Sequence, residues 1–369
     1  MMKTVLTAVV VASISLTAAL PARAQDQAQG QAQASREEIL SQAQDRAASV
    51  VLDAFNSDDP RQRMAAIEAV QDLPERAQPM AQIALSDENP AVRFAALVTI
   101  GRLELDALGP AALDLIHDEN ISVRAAALFA AHQCGEQVDL SLLGRMLGSS
   151  DLGARGNAVM LLGLIGDPAA MPMLEEMFVL HMPRAMPAER AWIHIQFAEA
   201  MLRIDPDDVK VLNGLRASAY SDMDDVRVLA LQVIGEVQDR AMIGWLEGLL
   251  DNDNPMQVKV AAARALARMD RTEGRALLMR AASYSAAQVH QQASAFLQAN
   301  PQAQGREIEM MRQLVQDPEA QEAIAADVRS QAVLGLGALA DRDSARKTVE
   351  MLEDAQPVVR LAAAACVLK

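Results

Sequence analysis

Residues 87–101 read Asp87-Glu88-Asn89-Pro90-Ala91-Val92-Arg93-Phe94-Ala95-Ala96-Leu97-Val98-Thr99-Ile100-Gly101. The phrase returns along the chain. Asp118 leads to Val123-Arg124 and Ala127-Leu128, Asp253-Asn254-Pro255 to Val258-Lys259 and Ala262, and Asp354 with Pro357 to Val359-Arg360 and Ala363. Further copies centre on Arg155, Arg227 and Arg329, and weaker ones on Arg63, Arg190 and His290. The marker positions 63, 93, 124, 155, 190, 227, 259, 290, 329 and 360 are 30, 31, 31, 35, 37, 32, 31, 39 and 31 residues apart. A nearly constant step is the signature of a stacked array, in which each unit buries its apolar face against its neighbours.

Each unit reads as two helices. After the marker, apolar residues fall at helical spacing, as at Ala96, Ile100 and Leu103 or at Ala230, Ile234 and Val237. Three positions after the marker, nine of ten copies carry Ala, the exception being Ile193, so that position calls for a small side chain where helices pack closely. Gly101, Gly163, Gly166, Gly235 and Gly337 mark helix ends or close crossings. A second helical stretch follows, and the Asp-x-x-Pro turn closes the unit, with Asp read as the cap and Pro at the helix start. Composition agrees: 51% of residues are hydrophobic but only 3% aromatic, so the packing is Ala against Leu.

The Val-Arg-x-x-Ala phrases at Val92-Arg93, Val123-Arg124, Val226-Arg227, Val328-Arg329 and Val359-Arg360, with the Leu162–Asp167 run Leu-Gly-Leu-Ile-Gly-Asp, resemble the HEAT-like repeat of the phycobilisome-lyase type. The resemblance covers roughly residues 57–369. It implies an all-α, right-handed α-solenoid of about ten two-helix HEAT-like repeats, with the marker-bearing helix on the concave side. It is specific for fold and says little about function. The marker Arg is read as structural, because an Asp stands six residues before it in four copies and inter-repeat ion pairs and caps follow.

Chemistry is sparse. Some proteins with this repeat are di-iron hydroxylases that use His-Glu pairs, and no His-Glu dipeptide occurs among the five His here. There is no Cys-x-x-Cys, no Gly-rich phosphate loop and no Gly-x-Ser-x-Gly elbow. The acids are scattered at turns. The expectation is a non-enzyme without cofactor. With a net charge of −16, the chain repels nucleic acid and anionic lipid. One connection is longer than the rest, at residues 179–190, and His181, Met182, Met186 and His194 with Trp192 there form the alternative metal-binding or enzymatic candidate. A second insertion, residues 316–326, reads as an acidic surface loop.

Residues 1–24 read as a secretory signal peptide: Lys3, an apolar run from Thr4 to Leu20, and Ala22-Arg23-Ala24 as cleavage site. Loss of Lys3 and Arg23 takes the charge from −16 to −18. The expected location is periplasmic or extracellular, with no integral membrane segment after cleavage. Residues 25–34 (QDQAQGQAQA) read as a polar low-complexity linker and 35–369 as the solenoid. Ser35-Arg36-Glu37-Glu38 reads as a capping box opening a helix to about Phe55, with Ile39, Ala43, Ala47 and Val50 or Val51 on one face. Cys134 and Cys366 lie seven repeats apart, about 60 Å for stacked helices, beyond disulfide reach; both are expected as buried free thiols.

Positions one, five and nine after the marker share a helix face. They hold Phe94, Val98 and Arg102, then Ala125, Phe129 and Gln133, then Gly156, Met160 and Leu164; later copies give Val228, Gln232 and Glu236, then Val260, Arg264 and Arg268. Two readings stand: core between helices, or an apolar groove along the concave face for a protein or peptide partner. On the second, Phe94, Val98, Phe129, Met160, Leu164 and Trp192 are the binding candidates. The expected work is a protein-interaction scaffold in the cell envelope, with acidic turns favouring basic partners; the rival is a structural, self-associating envelope component. Oligomeric state is left open.

Overall fold

The computed structural model describes residues 22–369 except 182–186, 252–253, 303 and 340. Side chains of residues 22–37, 72, 180–181, 187–188 and 306–307 are also outside the description, and so is the signal-like segment up to residue 21. Among the described residues there are twenty α-helices, and the chain divides into two compact units.

The first unit, Ala54–Gly274, holds α2 (Pro60–Ala69), α3 (Pro74–Ala84), α4 (Pro90–Arg102), α5 (Gly109–Asp114), α6 (Ile121–Gln133), α7 (Ser141–Met146) and α8 (Leu152–Ile165). It continues with α9 (Met171–His181), α10 (Pro187–Ile204), α11 (Val209–Ser218), α12 (Asp224–Glu236), α13 (Ile243–Asp251) and α14 (Met256–Arg268). The second unit comes from both ends of the chain: most of α1 (Ala22–Phe55), then α15 (Arg275–Ala281), α16 (Ala286–Ala299), α17 (Arg306–Gln316), α18 (Pro318–Ala338), α19 (Arg342–Glu350) and α20 (Pro357–Leu368). Arg46 of α1 pairs with Glu353, which follows α19.

In both units the marker-bearing helices pack on one another in sequence, α2 on α4, α4 on α6, α8 on α10, α12 on α14 and α18 on α20. The Ala three positions after the marker lies at these crossings. Ala66, Ala96, Ala127, Ala158, Ala230, Ala262, Ala332 and Ala363 are fully buried, and so is Leu or Ile beside them, as Leu97, Ile100, Leu161 and Ile234. Each such Leu or Ile contributes about 1.5–3 kcal/mol by leaving water. The glycines permit the closest approaches. A Cβ on Gly163 would stand 2.7 Å from Ala200 Cα, and one on Gly235 2.8 Å from Ala265 Cα. Gly166 has a different role: it ends α8 in the left-handed conformation, φ +70°.

Several sequence expectations change. The first described helix starts at Ala22, so no capping box opens at Ser35, and residues 25–34 run within the helix. Gln and Ala are good helix formers and no Pro interrupts them. Ala43, Ala47, Val51 and Ala54 form the buried face, but Ile39, earlier on it, is 63% exposed. Residues 318–326 are the first turns of α18 rather than a loop; Asp317 caps them, Pro318 sits at the first helical position, and Ala325 and Ala326 are buried. Cys134 and Cys366 are free, as expected, but half-buried rather than buried. Burial and the neighbouring acids Asp106, Glu136 and Glu104 push the Cys134 thiol up to about 11.

Candidate functional site

The repeated Arg and Asp come first, because they are the most periodic polar groups. Arg93 donates from Nε to Asp118 Oδ2 and from Nη2 to Asp118 Oδ1, both at 2.9 Å. Its Nη1 donates to the carbonyls of Asp87 and Glu88, at the start of its own turn. Arg63 does the same with Asp87 of the next repeat and with the carbonyls of Ser57 and Asp58. Arg329 pairs with Asp354, and Arg124 and Arg360 hold their own turn carbonyls. The expected inter-repeat ion pairs are therefore present at three steps, and at Arg63 and Arg93 the same guanidinium also closes its own turn.

The cap is not the expected residue. Asn89 and Asn120, one position before the helix, accept its free N–H groups, while Asp87 and Asp118 accept from Asn89 and Asn120 N–H and face Arg63 and Arg93. Each Asp is taken up by its Arg and by the Asn N–H, so capping of the helix N–H groups falls to Asn. Where the motif departs, so does the clamp: Arg227 reaches Asn254, and Arg216 of α11 makes the bidentate bond to Asp239. These arginines are structural and offer no ladder to a ligand.

The stripe divides. Phe129 is a correction: it is 0% exposed, and its ring lies on Gly101, where a Cβ would stand 2.8 Å from Cδ1. The missing side chain at Gly101 draws the ring into the crossing of α4 and α6, so Phe129 is core. Ala125 and Val260 are buried as well. Phe94, Val98 and Leu164 are half-buried. Met160 (37%) and Trp192 (45%) are exposed. On α12 and α14 the first stripe positions are Val228 and Val260, and the later ones are polar, with Glu236 taking both Arg264 and Arg268.

The long connection brings together something the stripe does not. A cleft of about 720 Å³ opens between α9, α10 and α11. Its walls are Pro172, Phe178, Val179, Ala198, Met201 and Val211, with Glu175, Glu176 and Lys210 as charged members and His194 among the apolar groups. The His194 ring meets Phe178 edge-on at 4.5 Å between centroids, and Phe178 in turn meets Phe197 at 5.9 Å. Gly214 makes room for the imidazole: a Cβ there would lie 3.0 Å from His194 Cε1. His194 Nδ1 is buried without a hydrogen-bond partner. Burial pushes its pKa below the usual imidazole value, so the ring is neutral at neutral pH. Val179, at the cleft, is strongly exposed.

Of the alternative metal set, only His194 has a described side chain. Met182 and Met186 lie outside the described residues, as does the His181 side chain. Among the described residues no group of three or more His, Cys, Asp or Glu is placed to hold a metal ion, and no helix is long and apolar enough to cross a membrane. The sequence reading singled out His194 but missed Phe178, Val179 and Met201. They belong to two different helices, Phe178 and Val179 to α9 and Met201 to α10, and only their apolar character was visible. It also missed the Tyr220–Trp245 pair, whose rings meet at 4.5 Å across 25 positions of sequence.

Comparison with known proteins bears on the architecture. The family model for HEAT repeats matches residues 109–180. No curated protein matches the chain. Among solved structures, human deoxyhypusine hydroxylase in complex with glycerol is 16% identical at a TM-score of 0.31, over 78% of this chain and 96% of that one. A Kap121p mutant is 12% identical at 0.32, over 86% of this chain and 36% of its own, and Kap121p itself is 12% identical at 0.30, over 86% and 37%. This chain thus spans about a third of the Kap121p length. The matched repeats and the pairwise stacking of the helices give the fold class: all-α, of HEAT-repeat helix pairs.

Proposed function

We propose that this chain is an exported, non-enzymatic scaffold of the cell envelope, with repeats of the phycobilisome-lyase HEAT-like type, that docks an apolar segment of a partner protein. The observation that carries the reading is the cleft between α9, α10 and α11. At the crossings of the marker-bearing helices, Ala and Leu side chains are buried between neighbours. Here Phe178, Val179, Met201 and Val211 surround an open volume of about 720 Å³ with a neutral imidazole. Apolar surface left open between rigid helices is the usual form of a groove for a peptide or helix. The signal-like first 24 residues support export, and the charge of −16 favours approach of basic partners.

The test is site-specific photocross-linking in cells. A photoreactive phenylalanine analogue at Val179 is compared with one at Glu75, which is exposed on α3. The expected result is a discrete partner captured from position 179, not from 75, and lost when Met201→Glu or Val211→Glu is added with the fold preserved by circular dichroism. Capture of only a second copy of this chain, or equal capture from both positions, overturns the reading.

A further inference from the structure

One aromatic pair, with an exposed Tyr220 on a half-buried Trp245, lies outside the cleft. Tyr220, in the turn between α11 and α12, is 60% exposed, and its ring rests on Trp245 of α13 at 4.5 Å with the planes inclined by 44°. Trp245 is anchored, since it packs against the core cluster that α10 to α14 share. Its surroundings on α13 are bare: Gly244 and Gly248 flank it, and no atom stands within 4 Å of where a Cβ would be at either. The turn reads Tyr220-Ser221-Asp222-Met223-Asp224-Asp225, and all three Asp and Met223 are exposed.

Arg227 bonds Asp224 and Asn254, Arg216 is held by Asp239, and Arg271 by Glu247 and Glu273. The ion pair of this turn is Arg227 with Asp224, while Asp222 and Asp225 are exposed. An exposed Tyr220 ring stacked on the half-buried Trp245 is thus followed, within five residues of the chain, by the exposed carboxylates of Asp222 and Asp225. An aromatic face attracts a cation, most strongly a guanidinium, which also stacks flat and donates N–H bonds to carboxylates. A purely apolar segment would strip water from Asp222 and Asp225 with nothing in return, and an acidic or phosphorylated one would be repelled.

We propose that the Tyr220–Trp245 surface, with Asp222 and Asp225, docks an arginine-bearing basic segment of a partner protein. The guanidinium stacks on the rings and donates to the two carboxylates. This rests on the scaffold reading, but it shares no residue with the cleft.

The chain has two tryptophans, so Trp192→Phe leaves Trp245 as sole reporter. In that background the full chain is titrated with hexa-arginine, and with hexa-glutamate as control, while Trp245 emission is followed. The expected result is a saturable change with hexa-arginine only. Its dissociation constant should rise about tenfold in Tyr220→Leu, which keeps apolar cover over Trp245 but removes the π face. It should rise similarly in Asp222→Asn/Asp225→Asn, and not in the charge-matched pair Glu75→Gln/Asp114→Asn. No saturable change overturns the proposal. So does equal weakening by the remote pair, which would mean general attraction to an acidic chain, or unchanged affinity in Tyr220→Leu. Photocross-linking at Val179 is independent of these residues, so cleft capture that survives alongside a failed titration removes this proposal alone.

Discussion

Replacing Arg93 by Met tests the turn clamp most directly, because it keeps the apolar stem and removes only the guanidinium. Four hydrogen bonds go with it, two to Asp118 and two to the carbonyls of Asp87 and Glu88. The Arg93 and Asp118 side chains are 10% and 7% exposed, so the remaining carboxylate is left almost dry. Breaking a buried pair on one side costs about 3–5 kcal/mol, and the thin solvent edge here puts the expectation at about 3 kcal/mol. Asp118→Asn keeps an acceptor for Arg93 and for the Asn120 N–H, and should cost about 1.5–2 kcal/mol. The double variant should cost less than the two together, with a coupling of about 1.5 kcal/mol.

Acid supplies a second test of the same clamp. Burial is the largest single influence and raises the Asp118 carboxyl, but the Arg93 hydrogen bonds, the Asn120 N–H and the charges of Arg93 and Arg124 together outweigh it, and the net shift is downward. A carboxylate lowered by folding gives its full stability above its unfolded value, about 3.9, and loses it as pH falls through the folded value. The Arg93→Met deficit should therefore shrink in strong acid. Arrays unfold in parts, so hydrogen exchange over residues 87–133 is read beside urea unfolding. A deficit under about 0.5 kcal/mol at neutral pH, the level of an ordinary surface change, or one that is unchanged in acid, would refute the clamp.

Three further outcomes follow from the packing. Gly163→Ala should lower stability by about 1–3 kcal/mol, since its methyl meets the Ala200 backbone, whereas Gly248→Ala, with open space around it, should raise it by about 0.5–1 kcal/mol; urea midpoints of the two variants check the contrast. Ala47→Glu places a charge at a fully buried position of α1, and should loosen the unit α1 shares with the C-terminal helices, seen as faster hydrogen exchange at residues 351–368 with residues 87–133 unchanged. Cys134, with its thiol pushed up from 9.0 to about 11, should alkylate at pH 8 about a hundredfold more slowly than a thiol at the ordinary value, because only the thiolate reacts; site-resolved mass spectrometry with iodoacetamide measures it, and a rate near that of a free thiol would contradict the burial.

Much of the architecture was legible in the residues themselves. The 31-residue step, the Ala three places after the marker and the Gly at the crossings all describe contacts between neighbouring repeats, and such contacts recur wherever the phrase recurs. The Arg–Asp clamp was legible for the same reason, although the choice of Asn89 and Asn120 as caps was not. Which of two adjacent polar groups faces the helix depends on where the Arg of the preceding repeat lies. Helix α18 hid at residues 318–326 because a break in period looks like an insertion, and only the buried faces of Ala325 and Ala326 show that the helix starts early.

The site was much less legible. Phe94 and Phe129 occupy nearly equivalent places in the repeat, one at the first and one at the fifth position of the stripe, yet Phe94 is half-buried and Phe129 is sealed on Gly101. Sequence by itself determined the helix pairs, their period and their small-residue crossings, because those depend on local spacing and side-chain size. Tertiary structure alone decided that His194, Phe178 and Val211 share an open cleft, that Tyr220 lies on Trp245, and that α1 joins the C-terminal helices. Each of these depends on how far one pair is offset from the next. That offset is set by the summed packing of many small contacts, and no single residue encodes it.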